Sequence, residues 1–391
     1  MTKVPFFDLH RQFRRLQSEI IDDLVEVCES QSFILGPKVL EFETRIAALT
    51  GTNFGIATSS GTDAELLILM ALSVGAGDAV ITTPFTFFAT AGTIVRVGAK
   101  PIFVDIDPAT FNLSIAKLEE FLEKNCVTTN SGTVTRDGVK IRAVVPVHLF
   151  GLCCDLPELR RVCDRWQLML IEDAAQALGA SYPEGRTLKK AGSAGVAGFF
   201  SFYPTKNLGA FGDAGMVVTD DAGLAAKMRA LRNHGMEPRY YHHLVGGAFR
   251  MDALQAAVLL RKLAHLEKWS SRRWELAQRY RTELSGLEVI LPAEPYACGW
   301  EGHIYHQFVI RTPERNRLRT YLAERGVGTE IYYPLALHQQ PCFEPLGYKA
   351  GDLPVAEKVA SECLALPVFP ELTDEEQALV ILRIGEFFGR K

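Results

Sequence analysis

GFFSFYPTKNLGAFGDAGMVVT, residues 198–219, joins two apolar runs through a polar, glycine-rich turn that carries one lysine, Lys206. The first run, from Val196 to Phe202, has the apolar, β-prone composition of a buried strand. Pro204 and the glycines at 209, 212 and 215 then break the chain into tight loops, where a backbone can approach a ligand closely. Lys206 is therefore presented from a loop at the end of a buried strand. A Schiff-base role explains that setting, whereas most lysines are solvated surface charges.

Partners for such a lysine stand elsewhere in the chain. In LMLIEDAAQALGA, residues 168–180, the apolar run Leu168 to Ile171 reads as a second buried strand, ending in Glu172 and Asp173. A carboxylate at a strand end is available to a ligand. Pyridoxal phosphate needs an anion facing its ring nitrogen, so that the protonated pyridine can act as an electron sink, and a lysine to carry it. Asp173 and Lys206 match those two needs. A phosphate cup is offered by ATSSGTDAELLILMALSVG, residues 57–75, where small residues open an apolar helix near Gly61 and Thr62. Helix N-terminal amides and the positive end of the helix dipole bind phosphate; the alternative is an ordinary capped helix.

Working outward, strand-like runs at 79–83, 101–106, 143–148, 168–172, 196–202 and 215–219 alternate with helix-like segments, which predicts an α/β sheet covered on both faces. Glycine signatures of dinucleotide binding or of a Walker loop are absent from the sequence. The chain has 391 residues, more than the roughly 250 to 300 at which a single core stops growing, so two domains are expected. We divide them as 1–255, a large cofactor-binding domain, and 256–391, a smaller C-terminal one. Residues 251–284 read as one long helical pattern linking the two, followed by a strand at 306–312 and a helix at 314–325. Residues 126–142 read as a hairpin-bearing insertion near a domain surface.

Composition narrows the function. No apolar run reaches the roughly 20 residues that span a bilayer, and MTKVPFFDLHRQFRR lacks a signal-peptide core, so a cytoplasmic protein with no membrane partner is expected. The formal net charge is -4 with dispersed lysines, which argues against nucleic acid. The densest basic stretch, Lys262 to Arg281, is interrupted by Glu267, Trp274 and Leu276 and reads as a solvated helix face. The eight cysteines form no CxxC pair and are expected as thiols, and neither Cys153 and Cys154 nor the His242/His243 pair has the spacing of metal ligands. No metal is expected.

Ten segments then point one way together: PFFDLHRQF, QSFILGP, SSGTDA, TTPFTFFAT, KPIFVDID, PVHLFG, EDAAQALGA, SFYPTKNLGAFGD, FRMDALQAAV and TEIYYPLALH. In this order they resemble the sugar aminotransferases of the DegT/DnrJ/EryC1/StrS family, a branch of fold-type I pyridoxal-phosphate enzymes, almost end to end. The resemblance implies an aspartate-aminotransferase-like fold, with a large α/β domain on a mostly parallel sheet and a smaller C-terminal α+β domain. It makes Lys206 the lysine that carries pyridoxal 5'-phosphate and Asp173 the partner of the pyridine nitrogen. It also places Gln176 near the ring hydroxyl, Phe87 on the ring face, and Gly61, Thr62 and Ser201 at the phosphate. One position departs from the pattern. Where the family commonly has GGNFR or GYNxR, with an asparagine that reaches across a dimer to the phosphate, this chain reads GGAFR with Ala248. Asn233, a water or a backbone amide is left to substitute.

The same resemblance implies a homodimer with shared sites, a nucleotide-sugar substrate and an amino acid donor, glutamate. His234 and Arg250 would reach the neighbouring subunit's site, and Glu330, Tyr332, Tyr333 and His338 would line it from the small domain. For the two tyrosines the alternative is packing in a sheet, and for His338 a satisfied loop histidine. Tyr203, three residues before Lys206, and His148, at a strand end, are further candidates for substrate contact. The implied reaction is transamination of a nucleotide-linked ketohexose, and TEIYYPLALH favours a 3-keto over a 4-keto sugar. A sugar dehydratase, in which the family replaces the lysine with histidine, and a non-catalytic regulatory protein that keeps the fold are the alternatives.

Overall fold

The computed structural model describes residues 3–130 and 132–389. Two helices, α1 (Leu9–Ser30) and α2 (Pro37–Thr50), precede β1 (Phe54–Thr58) and α3 (Gly61–Ala71). There follow β2 (Asp78–Thr82), α4 (Ala89–Arg96), β3 (Lys100–Phe103), α5 (Ile115–Asn125), β4 (Cys126–Thr129), β5 (Gly132–Thr135) and β6 (Lys140–Val145). Next come α6 (Leu156–Arg165), β7 (Met169–Asp173), β8 (Ser181–Glu184), β9 (Thr187–Lys190), β10 (Ala197–Ser201), β11 (Gly215–Thr219) and α7 (Ala222–Arg232). The C-terminal part holds α8 (Ala253–Leu263), α9 (Leu266–Glu283), β12 (Phe308–Arg311), α10 (Arg315–Glu324), α11 (Pro354–Glu362), β13 (Cys363–Leu366) and α12 (Asp374–Phe387).

The main sheet runs β1-β11-β10-β7-β6-β2-β3. Strands β10, β7, β6, β2 and β3 are mutually parallel, while β11 is antiparallel to both β10 and β1. Side chains alternate across the sheet: Ile81, Val144 and Leu170 enter a core covered by α2, α5, α6 and α8, and Val80, Val145 and Ile171 enter one covered by α3, α4 and α7. The architecture is the α/β sheet with helices on both faces that the periodicity predicts. It also contains β1, of which only Ala57 and Thr58 belong to the segment 57–75 that opens the apolar helix.

Residues 126–142 form the expected hairpin, β4 with β5, and β5 continues into pairing with β6 at Val134 and Lys140. Its Ser131 lies outside the described residues. The long pattern 251–284 divides into α8 and α9 at Ala264 and His265. The division follows from two cores. Ala256, Ala257 and Leu259 of α8 pack under the large sheet, whereas Leu276, Ala277 and Tyr280 of α9 pack with Phe308, Ile310, Leu318 and Leu364 in a separate small core. Because 255/256 falls inside α8, we propose the α8–α9 junction as the domain boundary.

The end of β7 is where the sheet meets the site, and Glu172 sets it. This carboxylate is fully buried. It accepts hydrogen bonds from the backbone amides of Gly192 at 2.7 Å, Ala194 at 2.5 Å and Gly195 at 3.0 Å, and Nε2 of His148 lies 3.0 Å away. The loop leading into β10 is thus tied to the tip of β7. Glu172→Leu strands three amides and an imidazole without their acceptor, each buried loss costing about 1 to 3 kcal/mol, so urea denaturation should read a destabilisation of about 3 kcal/mol or more. Glu172→Gln, which keeps a carbonyl oxygen, should lose clearly less.

Candidate active site

The carboxyl ends of parallel strands are where open α/β sheets bind ligands, and here they surround a cavity of about 740 Å³. Lys206 enters it from the loop after β10, and Asp173 enters it as the last residue of the neighbouring strand β7. The lysine loop is held at three points. Gly209 lies where a Cβ would stand 2.1 Å from the Pro204 carbonyl oxygen, so the loop closes on itself only with glycine there. Lys262 of α8 donates to the Gly209 carbonyl at 2.7 Å, and Asn207 donates to the Ile304 carbonyl at 3.2 Å.

Burial governs the charges. It lowers the Lys206 amine to about 8 against the pull of Asp173. It raises the Asp173 carboxyl, while hydrogen bonds from the Thr90 hydroxyl at 2.8 Å and the Ala175 amide at 3.1 Å, together with Lys206, act in the other direction. For both groups lost hydration outweighs mutual attraction. The result is a half-buried amine that titrates near physiological pH facing a wall that carries a carboxylate.

The phosphate end is equally defined. The first amides of a helix have no intrahelical partner, and at α3 the Ser60 hydroxyl caps only that of Asp63, at 3.0 Å. Gly61 and Thr62 line the cavity beside Ser201. A Cβ on Gly61 would lie 2.7 Å from Cβ of Ser201, so the helix N-terminus and the end of β10 meet only because that position is glycine. Phe87, 61% exposed in the single chain, presents its ring to the same space. A helix N-terminus, an exposed aromatic face, a buried carboxylate and a low-pKa lysine fit a phosphorylated pyridine aldehyde.

Gln176 is in the cavity wall with its amide largely engaged: the oxygen accepts from the Phe150 amide at 2.9 Å and the nitrogen donates to the Tyr333 hydroxyl at 2.9 Å. Tyr333 in turn stacks on Phe150 with ring centroids 6.2 Å apart. Tyr203, Glu330 and Tyr332 line the cavity as well. His234 and Arg250 stand outside it on the 233–250 loop, where Arg250 donates to Asn233 Oδ1 at 2.7 Å. Asn233 is paired with Ala248 across an isolated bridge, and Ala248 is exposed.

Two expected substrate contacts are corrected. His148 is fully buried with its ring spent on Glu172 and on the Cys154 amide, 3.2 Å from Nδ1, so the strand end turns it into the protein. His338 is 3% exposed and meets Glu357 at 3.0 Å within the small-domain packing, away from the cavity. Conversely, Thr90, Asp213, His306 and Gln307 line the cavity without having been singled out. For His306 and Gln307 the sequence carries a signal: two polar residues lead into an apolar strand run, at the opposite end of the strand from the positions of Asp173 and Lys206.

Other candidate chemistry is thin. A groove of about 790 Å³ lined by Arg15, Glu19, Trp269 and Trp300 contains none of the expected residues. Among the described residues there is no group of three or more potential metal ligands, and no helix is long and apolar enough to cross a membrane. All eight cysteines are free thiols.

The model of the DegT/DnrJ/EryC1/StrS aminotransferase family matches residues 14–384. Over 385 residues, 98% of each chain, the protein is 46% identical to a Geobacillus stearothermophilus protein named a pleiotropic regulatory protein. It is 40% identical over 380 residues, 97% of this chain and 96% of the other, to the UDP-N-acetyl-3-dehydro-alpha-D-glucosamine 3-aminotransferase of Acidithiobacillus ferrooxidans. The crystal structure of S. venezuelae DesV in complex with a ketimine intermediate matches with a TM-score of 0.92 at 36% identity, covering 100% of both chains.

The lowered Lys206 amine makes a pH prediction. Only the uncharged amine attacks an aldehyde, so the rate at which cofactor-free protein couples to pyridoxal phosphate should rise with pH and level off above about 8, the value that burial imposes. An ordinary lysine would place that inflection near about 10.4. Borohydride reduction and peptide mapping should put the adduct on Lys206, and Lys206→Ala should carry none there.

Proposed function

We propose that this chain, which belongs to the DegT/DnrJ/EryC1/StrS aminotransferase family, moves an amino group from glutamate to the 3-keto carbon of a nucleotide-linked hexose, working as a homodimer with shared sites. It is an aminotransferase, and its cofactor is pyridoxal 5'-phosphate. The observation that carries the reading is the convergence of Lys206, Asp173 and the α3 N-terminus on one cavity.

When bound, pyridoxal phosphate supplies an aldehyde that takes up the amino group and a pyridinium ring that withdraws electrons. The chain does the rest. Asp173 would hold a proton at the ring nitrogen, the amides of Gly61 and Thr62 with the Ser201 hydroxyl would hold the phosphate, and Phe87 would cover the ring. Lys206, with a pKa of about 8, takes a proton at Nζ from the amino acid carbon and returns one to the sugar side. Glu330, Tyr203 and Tyr332 at the cavity wall are the groups offered to sugar hydroxyls.

Support for the 3-keto position comes from the TEIYYPLALH segment and from the relative named a 3-aminotransferase. The dimer is supported by the exposed apolar side chains of the 233–250 loop, Tyr240 at 73%, Tyr241 at 66% and Val245 at 92% exposure, which carry His234 and Arg250 away from their own cavity. A regulatory role is a second reading, favoured by the relative named a pleiotropic regulatory protein. The complete Lys206 and Asp173 pair favours turnover.

Two measurements test the proposal. In a panel of UDP- and dTDP-linked 3-keto and 4-keto sugars with glutamate, product mass should report amination of a 3-keto sugar; preference for a 4-keto sugar reverses the regiochemistry, and no turnover with any member supports the regulatory reading. The second concerns Ala248. A hydrogen bond to a charged group is worth about 1.5 to 3 kcal/mol, so Ala248→Asn should tighten cofactor binding by about tenfold or more, and only in the dimer. Equal dissociation constants for the two proteins would mean that the gap at Ala248 is already filled.

A further inference from the structure

Beside the lysine loop stands a histidine that the reaction described above leaves unused. His306 lies just before β12, is 6% exposed and lines the same cavity as Lys206. Its Nδ1 is 3.1 Å from Oδ1 of Asn207, the residue that follows Lys206. Asn207 is itself buried, and its Nδ2 donates to the Ile304 carbonyl at 3.2 Å, which turns Oδ1 toward the imidazole.

An amide oxygen only accepts. The ring proton therefore sits on Nδ1, and Nε2 is left with its lone pair. A second contact agrees, since the Gln307 amide nitrogen, a donor, lies 3.5 Å from Nε2. Arg273 fixes the backbone from behind, its Nη1 donating to the carbonyls of Tyr305 at 3.3 Å, His306 at 3.4 Å and Val368 at 2.6 Å. Burial, then the positive charges of Lys206 and Arg273, hold the imidazole well below its usual range, so the ring stays neutral.

We propose that His306 is a positioning residue for Lys206: Asn207 locks its tautomer, and Nε2, which the Gln307 amide reaches only at 3.5 Å, accepts a hydrogen bond from the Lys206 amine once a cofactor in its amine form has released it. The inference rests on the transamination reading, in which Lys206 is released and must stay aimed while it moves a proton. A charged amine donates more strongly than a neutral one, so the contact favours the protonated amine and offsets part of what burial does. The titratable groups that share the cavity with Lys206 are Asp173, Tyr203, Asp213, Glu330, Tyr332 and Tyr333, and the variants below leave all of them in place.

The test uses the full chain loaded with pyridoxamine phosphate and reads, by peptide mass, the pH midpoint at which acetic anhydride modifies Lys206. His306→Phe keeps an aromatic ring and loses the acceptor, and its midpoint should fall by about one pH unit, equivalent to about 1.4 kcal/mol. Asn207→Leu frees the ring to take the other tautomer and should lower the midpoint in the same direction with His306 intact. His306→Gln, whose side-chain oxygen accepts, should stay closer to wild type than His306→Phe. Cofactor absorbance reports whether each variant is folded and loaded, and if His306→Phe is not, Asn207→Leu decides alone. An unchanged midpoint in the folded variants overturns the proposal. Failure of the wild-type enzyme to aminate any ketosugar would instead overturn the transamination reading, and the labelling midpoint would still decide the contact.

Discussion

A single buried carboxylate, Glu172, supports the geometry of the site. Adjacent residues on a strand point to opposite faces, so fixing Glu172 fixes Asp173 in the reverse direction. Glu172 is held by three amides and an imidazole, and Asp173 therefore meets the cavity in one orientation. The same three amides belong to the segment entering β10, the strand that ends in the lysine loop. The spacing of lysine and aspartate is thus inherited from one satisfied interior group, which is a stiffer arrangement than two loops could provide.

Desolvation does the electrostatic tuning. In water Lys206 would be a cation at any physiological pH; in the cavity its amine is brought down to about 8. Asp173 pulls the other way and loses, because the charged forms of both groups are poorly hydrated. Neighbouring dipoles limit the cost. Thr90 and the Ala175 amide stabilise the carboxylate, and the α3 N-terminus provides donors for an anion without adding another cation. Glycine makes this compactness possible, since at Gly61 and Gly209 an ordinary Cβ would collide with Ser201 and Pro204.

The division between α8 and α9 illustrates where local pattern stops being informative. Both halves of residues 251–284 have helical spacing and no proline or glycine to separate them. What divides them is that Leu259 belongs to the core beneath the sheet and Leu276 to the small core. A chain that must serve two cores turns between them, and that demand comes from the packing of residues distant in sequence. His148 and His338 are the same lesson at the level of single side chains. Their places near strand and loop ends suit a binding role, but Glu172 and Glu357 claim their rings.

The sequence alone determined the strand runs, the lysine in its glycine-rich loop, the carboxylate closing an apolar strand and the small residues opening a helix. These are local, because period, turn chemistry and strand-end polarity are written within a few neighbouring residues. Tertiary structure decided which of two adjacent carboxylates faces the cavity, that Gln176 is already bonded to Phe150 and Tyr333, and that His306 meets Asn207 of the lysine loop from 99 positions away. Each of those depends on which partner reaches a polar group first inside a close-packed interior, and that competition is settled only when the whole chain has folded.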